Sequence, residues 1–137
     1  MAVRNISLES AGPLVRDVML REARTVPGAT TLAEIVPELD NPRVRMILVA
    51  DGQRYLGSVA PERLDPLISR STALSQLADF DAPRVHPDDP VVVALQLLES
   101  SGSDRLPVVT AEDQLVGLVC FNRRRGHFCV DAERPSI

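Results

Sequence analysis

The chain has no lysine and no tryptophan. Its 137 residues include one tyrosine, three phenylalanines, two cysteines and two histidines. Each scarcity narrows the function. Single-stranded nucleic acid is held largely by stacking bases on aromatic side chains, so a chain this poor in them is a weak candidate for that role. The core has to be aliphatic. With lysine absent, all 15 basic residues are arginine, which reads as codon bias in a GC-rich genome; 19 acidic residues outnumber them and leave a net charge of −4. That balance gives no general attraction to nucleic acid or anionic lipid. The longest strongly apolar run, Val91–Leu98, is about a third of a membrane span. The opening MAVRNISLES has no apolar signal-peptide centre. Two thiols, Cys120 and Cys129, do not make a disulfide framework in a chain of this size, and point to a reducing cytoplasm.

Catalytic signatures are missing too. The sequence has no G-x-S-x-G, H-E-x-x-H or phosphate-binding loop motif. Asp88-Asp89 falls at a helix start and Glu112-Asp113 in a hairpin turn, so both acidic pairs read as structural. Cys120, His127 and Cys129 lack a fourth ligand at a zinc-like spacing, so no metal is expected; as an alternative, Cys120 is a buried strand-end residue, and Phe128 and Cys129 pack an end of the domain. These absences together argue against an enzyme.

What the chain does contain is a repeat at an offset of 60 residues. Arg45–Arg63, RMILVADGQRYLGSVAPER, aligns without a gap on Arg105–Arg123, RLPVVTAEDQLVGLVCFNR. Arg45 falls on Arg105, Val49 on Val109, Gly57 on Gly117, Val59 on Val119 and Arg63 on Arg123; upstream, Arg24 meets Arg84 and Pro27 meets Pro87. One supersecondary unit used twice implies a pseudo-symmetric body with a seam, and seams favour ligand sites.

Local patterns fill in each copy. Val15–Met19 is an apolar lead-in. Thr30 or Thr31 can cap a helix carrying the stripe Leu32, Ile35, Val36 and Leu39, shortened or bent by Pro37. Met46–Ala50 and Tyr55–Val59 read as a hairpin around Asp51-Gly52, with Gly57 marking a close backbone approach. Pro61 opens a last helix, Glu62–Ile68, and Ser69–Ala73 links the copies. In the second copy the lead-in is Leu74–Phe80 and the extended piece Arg84–His86. Asp88 or Asp89 caps a helix with Pro90 in its first turn and the stripe Val91, Ala94, Leu95 and Leu98. Strands follow at Leu106–Thr110 and Leu115–Cys120. Each copy is thus expected to run β-α-β-β-α, an α/β arrangement whose two small sheets pack together because neither has enough core alone.

The chain resembles a tandem pair of CBS domains, the regulatory Bateman module. The resemblance runs from about Leu14 to Val130 and is carried by VRDVM at Val15–Met19, VHPDDPVVVALQLL at Val85–Leu98, and RLPVV with LVGLV at Arg105–Val109 and Leu115–Val119. It implies two β-α-β-β-α repeats about a pseudo-two-fold axis, over residues 14–69 and 70–130, with an N-terminal extension at 1–13 and a tail at 131–137. It also implies a stand-alone homodimer, a regulated protein partner, and an adenine nucleotide as regulatory ligand at the clefts between repeats. One cleft would draw on Thr25, Val26, Met46, Ile47, Ala60 and Arg63. The other would draw on Val85, His86, Leu106, Pro107, Cys120 and Arg123.

The resemblance breaks at one motif. Such modules hold ribose with a Thr or Ser three residues past the hairpin glycine and an Asp three further on. Here those positions are Ala60 and Arg63, then Cys120 and Arg123. A guanidinium accepts no hydrogen bond and cannot replace that Asp, but it can clamp a phosphate or carboxylate. Arg123, Arg124 and Arg125 crowd the positive end of an expected helix. The helix is absent there, or the cluster meets an anionic ligand or an acidic partner; nucleic acid fits an acidic chain least. Arg63, Arg123, Arg124 and Arg125 are the candidate anion contacts. The two functional expectations are a sensor of a nucleotide or other anionic metabolite, and a dimerisation or interaction module whose clefts bind nothing.

Overall fold

The computed structural model describes residues 13–42 and 44–129. In chain order the elements are α1 (Val15–Val18), β1 (Thr25–Val26), α2 (Leu32–Leu39), β2 (Ile47–Asp51), β3 (Arg54–Val59), α3 (Val91–Ser101), β4 (Arg105–Val109), β5 (Leu115–Asn122) and β6 (His127–Phe128), with single 3-10 turns at Pro61–Arg63 and Leu74–Gln76. This is an α/β fold with two three-stranded sheets, ordered β1-β2-β3 and β4-β5-β6.

The 60-residue offset reappears in the pairing. β1 runs parallel to β2 with Thr25 opposite Leu48; Val85 bridges Val108 in parallel, the same register one repeat later. Both hairpins are antiparallel, and each carries an irregularity, between Val49 and Ala50 in the first and between Val108 and Val109 in the second, one residue short of the 60-residue offset. The Tyr55 amide donates to the Asp113 carbonyl and the Leu115 amide to the Gln53 carbonyl, both at 2.8 Å. Exchanging the halves, 60 residues forward for one partner and 60 back for the other, turns one bond into the other, so a pseudo-two-fold axis passes between the hairpin turns.

The halves also exchange their lead-ins. Leu20 pairs with Leu118 of the second half, and Asp79 pairs with Ser58 of the first. This exchange explains the two repeated glycines. A Cβ on Gly57 would lie 2.7 Å from the Asp79 carbonyl carbon, and one on Gly117 would lie 2.7 Å from the Leu20 carbonyl oxygen. Each glycine is the place where the other half's chain crosses the strand.

Three apolar clusters follow. Val15, Val85, Ala94, Leu98, Leu106, Val108 and Val119 form the second half's core; Leu32, Ile35, Val44, Ile47, Val49, Val59 and Leu74 form the first's. Between them Leu48 and Tyr55 meet Val109 and Leu118. Each half buries too little surface alone, and the central cluster joins them.

Several expected elements differ. Thr31 does cap α2: its amide donates to the Glu34 carboxylate at 2.9 Å, a capping-box contact. Pro37 is accommodated near the end of this two-turn helix. For α3, however, the cap is Pro90 rather than Asp88 or Asp89. The Asp89 carboxylate instead accepts the His86 amide at 3.0 Å, and Asp88 pairs with Arg16 of the first half. Of the expected α3 stripe, Ala94 and Leu98 are buried, while Leu95 is exposed. Neither terminal helix forms. The first is a 3-10 turn at Pro61–Arg63. In the second half the chain turns at residues 123–126 and returns as β6, Phe121 opposite Phe128. Three cations sit at less cost in a solvated turn than at a helix N-terminus, where each is unfavourable by ~0.3–1 kcal/mol. The cysteines were expected as free thiols; the structure joins Cys120 to Cys129 in a disulfide that ties β6 to β5. Both are buried, beside Leu20.

Candidate ligand site

A cavity of about 370 Å³ opens between the halves. Its first-half wall is the chain entering β2 (Val44, Arg45, Met46), Ser58 on β3, and the turn Ala60–Arg63. Its second-half wall is Ala82 and Pro83, the loop from Ser101 to Asp104, and Arg105 and Leu106 at the start of β4. Two local features place these groups. Gly102 ends α3 in the left-handed conformation at φ 72°, which turns the chain sharply into β4. Pro61 opens the 3-10 turn that carries Arg63, whose amide donates to the Ala60 carbonyl at 2.9 Å.

The electrostatics centre on Arg105. It is 8% exposed, and neither its Nε nor its Nη1 has a hydrogen-bond acceptor among the described residues. The closest countercharge is the Asp104 carboxylate, 3.6 Å from Nε and 3.9 Å from Arg45. Burial lowers the Arg105 pKa, with Asp104 opposing and Arg45 reinforcing the shift. Among the described residues Arg63 makes no ion pair or side-chain hydrogen bond. The cavity therefore presents three guanidinium groups to two carboxylates, Glu62 and Asp104, in a chain of net negative charge.

Of the first-cleft residues expected from sequence, Met46, Ala60 and Arg63 line this cavity, as does Leu106 from the second list. Thr25 and Val26 lie in β1, and Ile47 and Pro107 are buried strand residues. Val85 and His86 line a separate, shallower depression of about 430 Å³ with Arg84, Asp89 and Thr110. There Arg84 is already engaged: its Nη1 donates to the Phe80 carbonyl at 2.6 Å and its guanidinium lies 4.3 Å from the Phe80 ring centroid. Cys120 is in the disulfide. Arg123 donates from Nη2 to the carbonyls of Leu98 at 2.9 Å and Ser103 at 2.7 Å, closing the end of α3. Arg124 and Arg125 stand exposed on the turn. Sequence reasoning missed Arg45, Arg105 and Asp104 as site residues. The signal was present, because Arg45 and Arg105 coincide under the 60-residue offset.

Residues 74–122 match the family model of the CBS domain. The whole fold is similar to solved structures of CBS domain pairs. A CBS domain pair/ACT domain protein from Thermotoga maritima superposes with a TM-score of 0.65 at 22% identity, covering 79% of this chain and 89% of that one. The chain folds as a tandem pair of CBS domains. The protein CBSX2, solved in complex with AMP, gives a TM-score of 0.64 at 23% identity over 80% of this chain and 90% of its own. The cytosolic domain of the Mg2+ channel MgtE, solved with ATP, gives 0.61 at 24% identity over 75% and 44%. No curated protein matches the chain in sequence. Among the described residues no helix of this CBS pair is long and apolar enough to cross a membrane.

Proposed function

We propose that this CBS pair is a regulatory, non-catalytic module that senses a nucleotide or other anionic metabolite in the cavity between its repeats, which we take to span residues 14–69 and 70–130. The observation that carries the reading is Arg105: a buried cation with two unsatisfied donors, on a cavity walled by both halves. A ligand held there touches both repeats, so its binding energy depends on their relative placement and can be passed to a partner protein or a second copy. CBSX2 with AMP and the MgtE domain with ATP are relatives in fold whose ligands set the first chemical class to try. A homodimer is the assembly we expect to carry the signal; the Cys120–Cys129 disulfide removes the free-thiol argument for a reducing cytoplasm.

The pseudo-equivalent second cleft favours the other reading, a position without a ligand. β6 and the disulfide occupy the end of β5 there, and Arg123 is spent on carbonyls. The module is then asymmetric, with one sensing cleft and one structural end. Thermal denaturation against adenine and guanine nucleotides tests the proposal. A ligand at 100 times its Kd adds about 2.7 kcal/mol of stability. An unchanged melting curve across the panel, in protein shown to carry no co-purified ligand, would reject sensing and leave a purely structural module.

A further inference from the structure

Resting on the reading of the cavity as a ligand site, we infer that its ligand carries two acidic groups, one seated on Arg105 and a second on Arg63, and that the ligand is selected by these groups rather than by sugar hydroxyls.

Two independent observations from the two halves carry this. On the second-half wall, Arg105 is nearly buried and its Nε and Nη1 meet no acceptor. Asp104 faces it from 3.6 Å, beyond a hydrogen bond, and shares its charge with Arg45. A buried guanidinium left in this condition is costly, and an anion brought against it from the cavity supplies the countercharge that Asp104 gives only in part. On the first-half wall, Arg63 has no partner among the described residues and stands exposed at the mouth, so an anion reaches it without displacing a protein contact. Both side chains are donors only. Asp104, the acceptor nearest Arg105, is already drawn to two cations, which leaves Glu62 at the rim as the carboxylate for hydroxyl groups. The volume, about 370 Å³, lies at the small end of the usual range for ligand cavities. The chemical class is a compact phosphate ester with a second phosphate or carboxylate.

Melting temperature and calorimetric titration of the intact chain test this, with adenosine, AMP, adenosine 3′,5′-bisphosphate and inorganic phosphate as probes. The expected order is bisphosphate above AMP, with adenosine giving no shift. Arg63→Asp is expected to bring the bisphosphate down to the affinity of AMP, a loss of ~10-fold or more for one charge-assisted contact. Arg105→Gln abolishes the response to every phosphate probe. Arg105→Lys keeps the charge but not the planar fork and is expected to lose ~10-fold or more, which serves if the Gln variant is unstable. If AMP binds as well as the bisphosphate, or adenosine as well as AMP, or Arg105→Lys binds like wild type, the double-anion reading falls while ligand sensing stands. If no probe binds wild type or either variant, ligand sensing in this cavity falls with it.

Discussion

Tyr55 offers a test of the seam between the repeats, independent of any ligand. Its ring is packed among Leu48, Val109 and Leu118 and 5.7 Å from the Phe80 ring centroid. Its hydroxyl is buried without a hydrogen-bond partner among the described residues. Burial pushes the phenol up from 10 to about 12, with Ser58 and then the Arg84 charge opposing the rise and Asp79 adding to it; the Ser58 contact does not reach hydrogen-bond geometry. In the unfolded chain the phenol titrates near 10. Below pH 10 both states keep the proton and stability is unaffected. From pH 10 to 12 the unfolded chain releases it and the folded one does not, so stability falls as pH rises. Two pKa units correspond to a loss of about 3 kcal/mol above pH 12. Composition makes the measurement clean: there is no lysine to titrate in that window, and Tyr55 is the chain's only tyrosine. Phenolate absorbance therefore reports Tyr55 alone, and denaturation at pH 9 to 12 gives the stability. Tyr55→Phe removes a hydroxyl that has no partner, so it should be neutral or stabilising at pH 7 and should flatten the alkaline slope. That variant also subtracts any share due to Arg105, whose pKa burial lowers. A phenol titrating near 10 in the folded protein, or an alkaline loss unchanged in Tyr55→Phe, would refute a dry, shared core at the seam.

Other expectations follow from the crossing chains and the closed end. Gly57→Ala combines a backbone clash at 2.7 Å with a φ of 139°, and should cost about 3–5 kcal/mol in chemical denaturation. Gly102→Ala, at φ 72° in open space, should cost only about 1 kcal/mol, and equal losses in the two variants would contradict the crossing. Reducing the Cys120–Cys129 bond, which closes a loop of nine residues, should remove about 2–3 kcal/mol by loop entropy; Cys120→Ser with Cys129→Ser should be insensitive to reductant. Arg123→Ala gives up donors to the Leu98 and Ser103 carbonyls and should cost about 1–3 kcal/mol without altering ligand affinity. A loss of affinity would return Arg123 to the binding site.

Repetition made the architecture legible. The β1–β2 pairing and the Gly57 and Gly117 contacts recur under one offset, the hairpins recur with their register shifted by one residue, and periodic stripes marked α2 and α3. What failed to read were features set by tertiary context. The fixed φ of Pro61 suits the first position of a 3-10 turn as well as of a helix. The β6 return depends on Phe121 meeting Phe128 and on a disulfide whose pairing needs three-dimensional proximity. Asp88 and Asp89 suit a helix cap, yet Arg16 claims Asp88 across the seam and the neighbouring His86 amide claims Asp89. For the site, the sequence pointed to Arg63 but placed its partners in two symmetric clefts. The structure gathers Arg63 and Met46 with Leu106 and Arg105 in one cavity, because the walls come from different repeats.

The central claim is that the cavity between the repeats is where an anion-bearing ligand binds. Amide chemical-shift mapping by NMR during titration with AMP and with adenosine 3′,5′-bisphosphate tests it most directly. Binding there shifts Ser58, Ala60, Arg63, Gly102, Asp104 and Arg105 saturably and leaves Arg84 to Asp89 and Phe121 to Cys129 unmoved. Shifts centred on His86 or on the Arg123–Arg125 turn, or none at any residue, would contradict it.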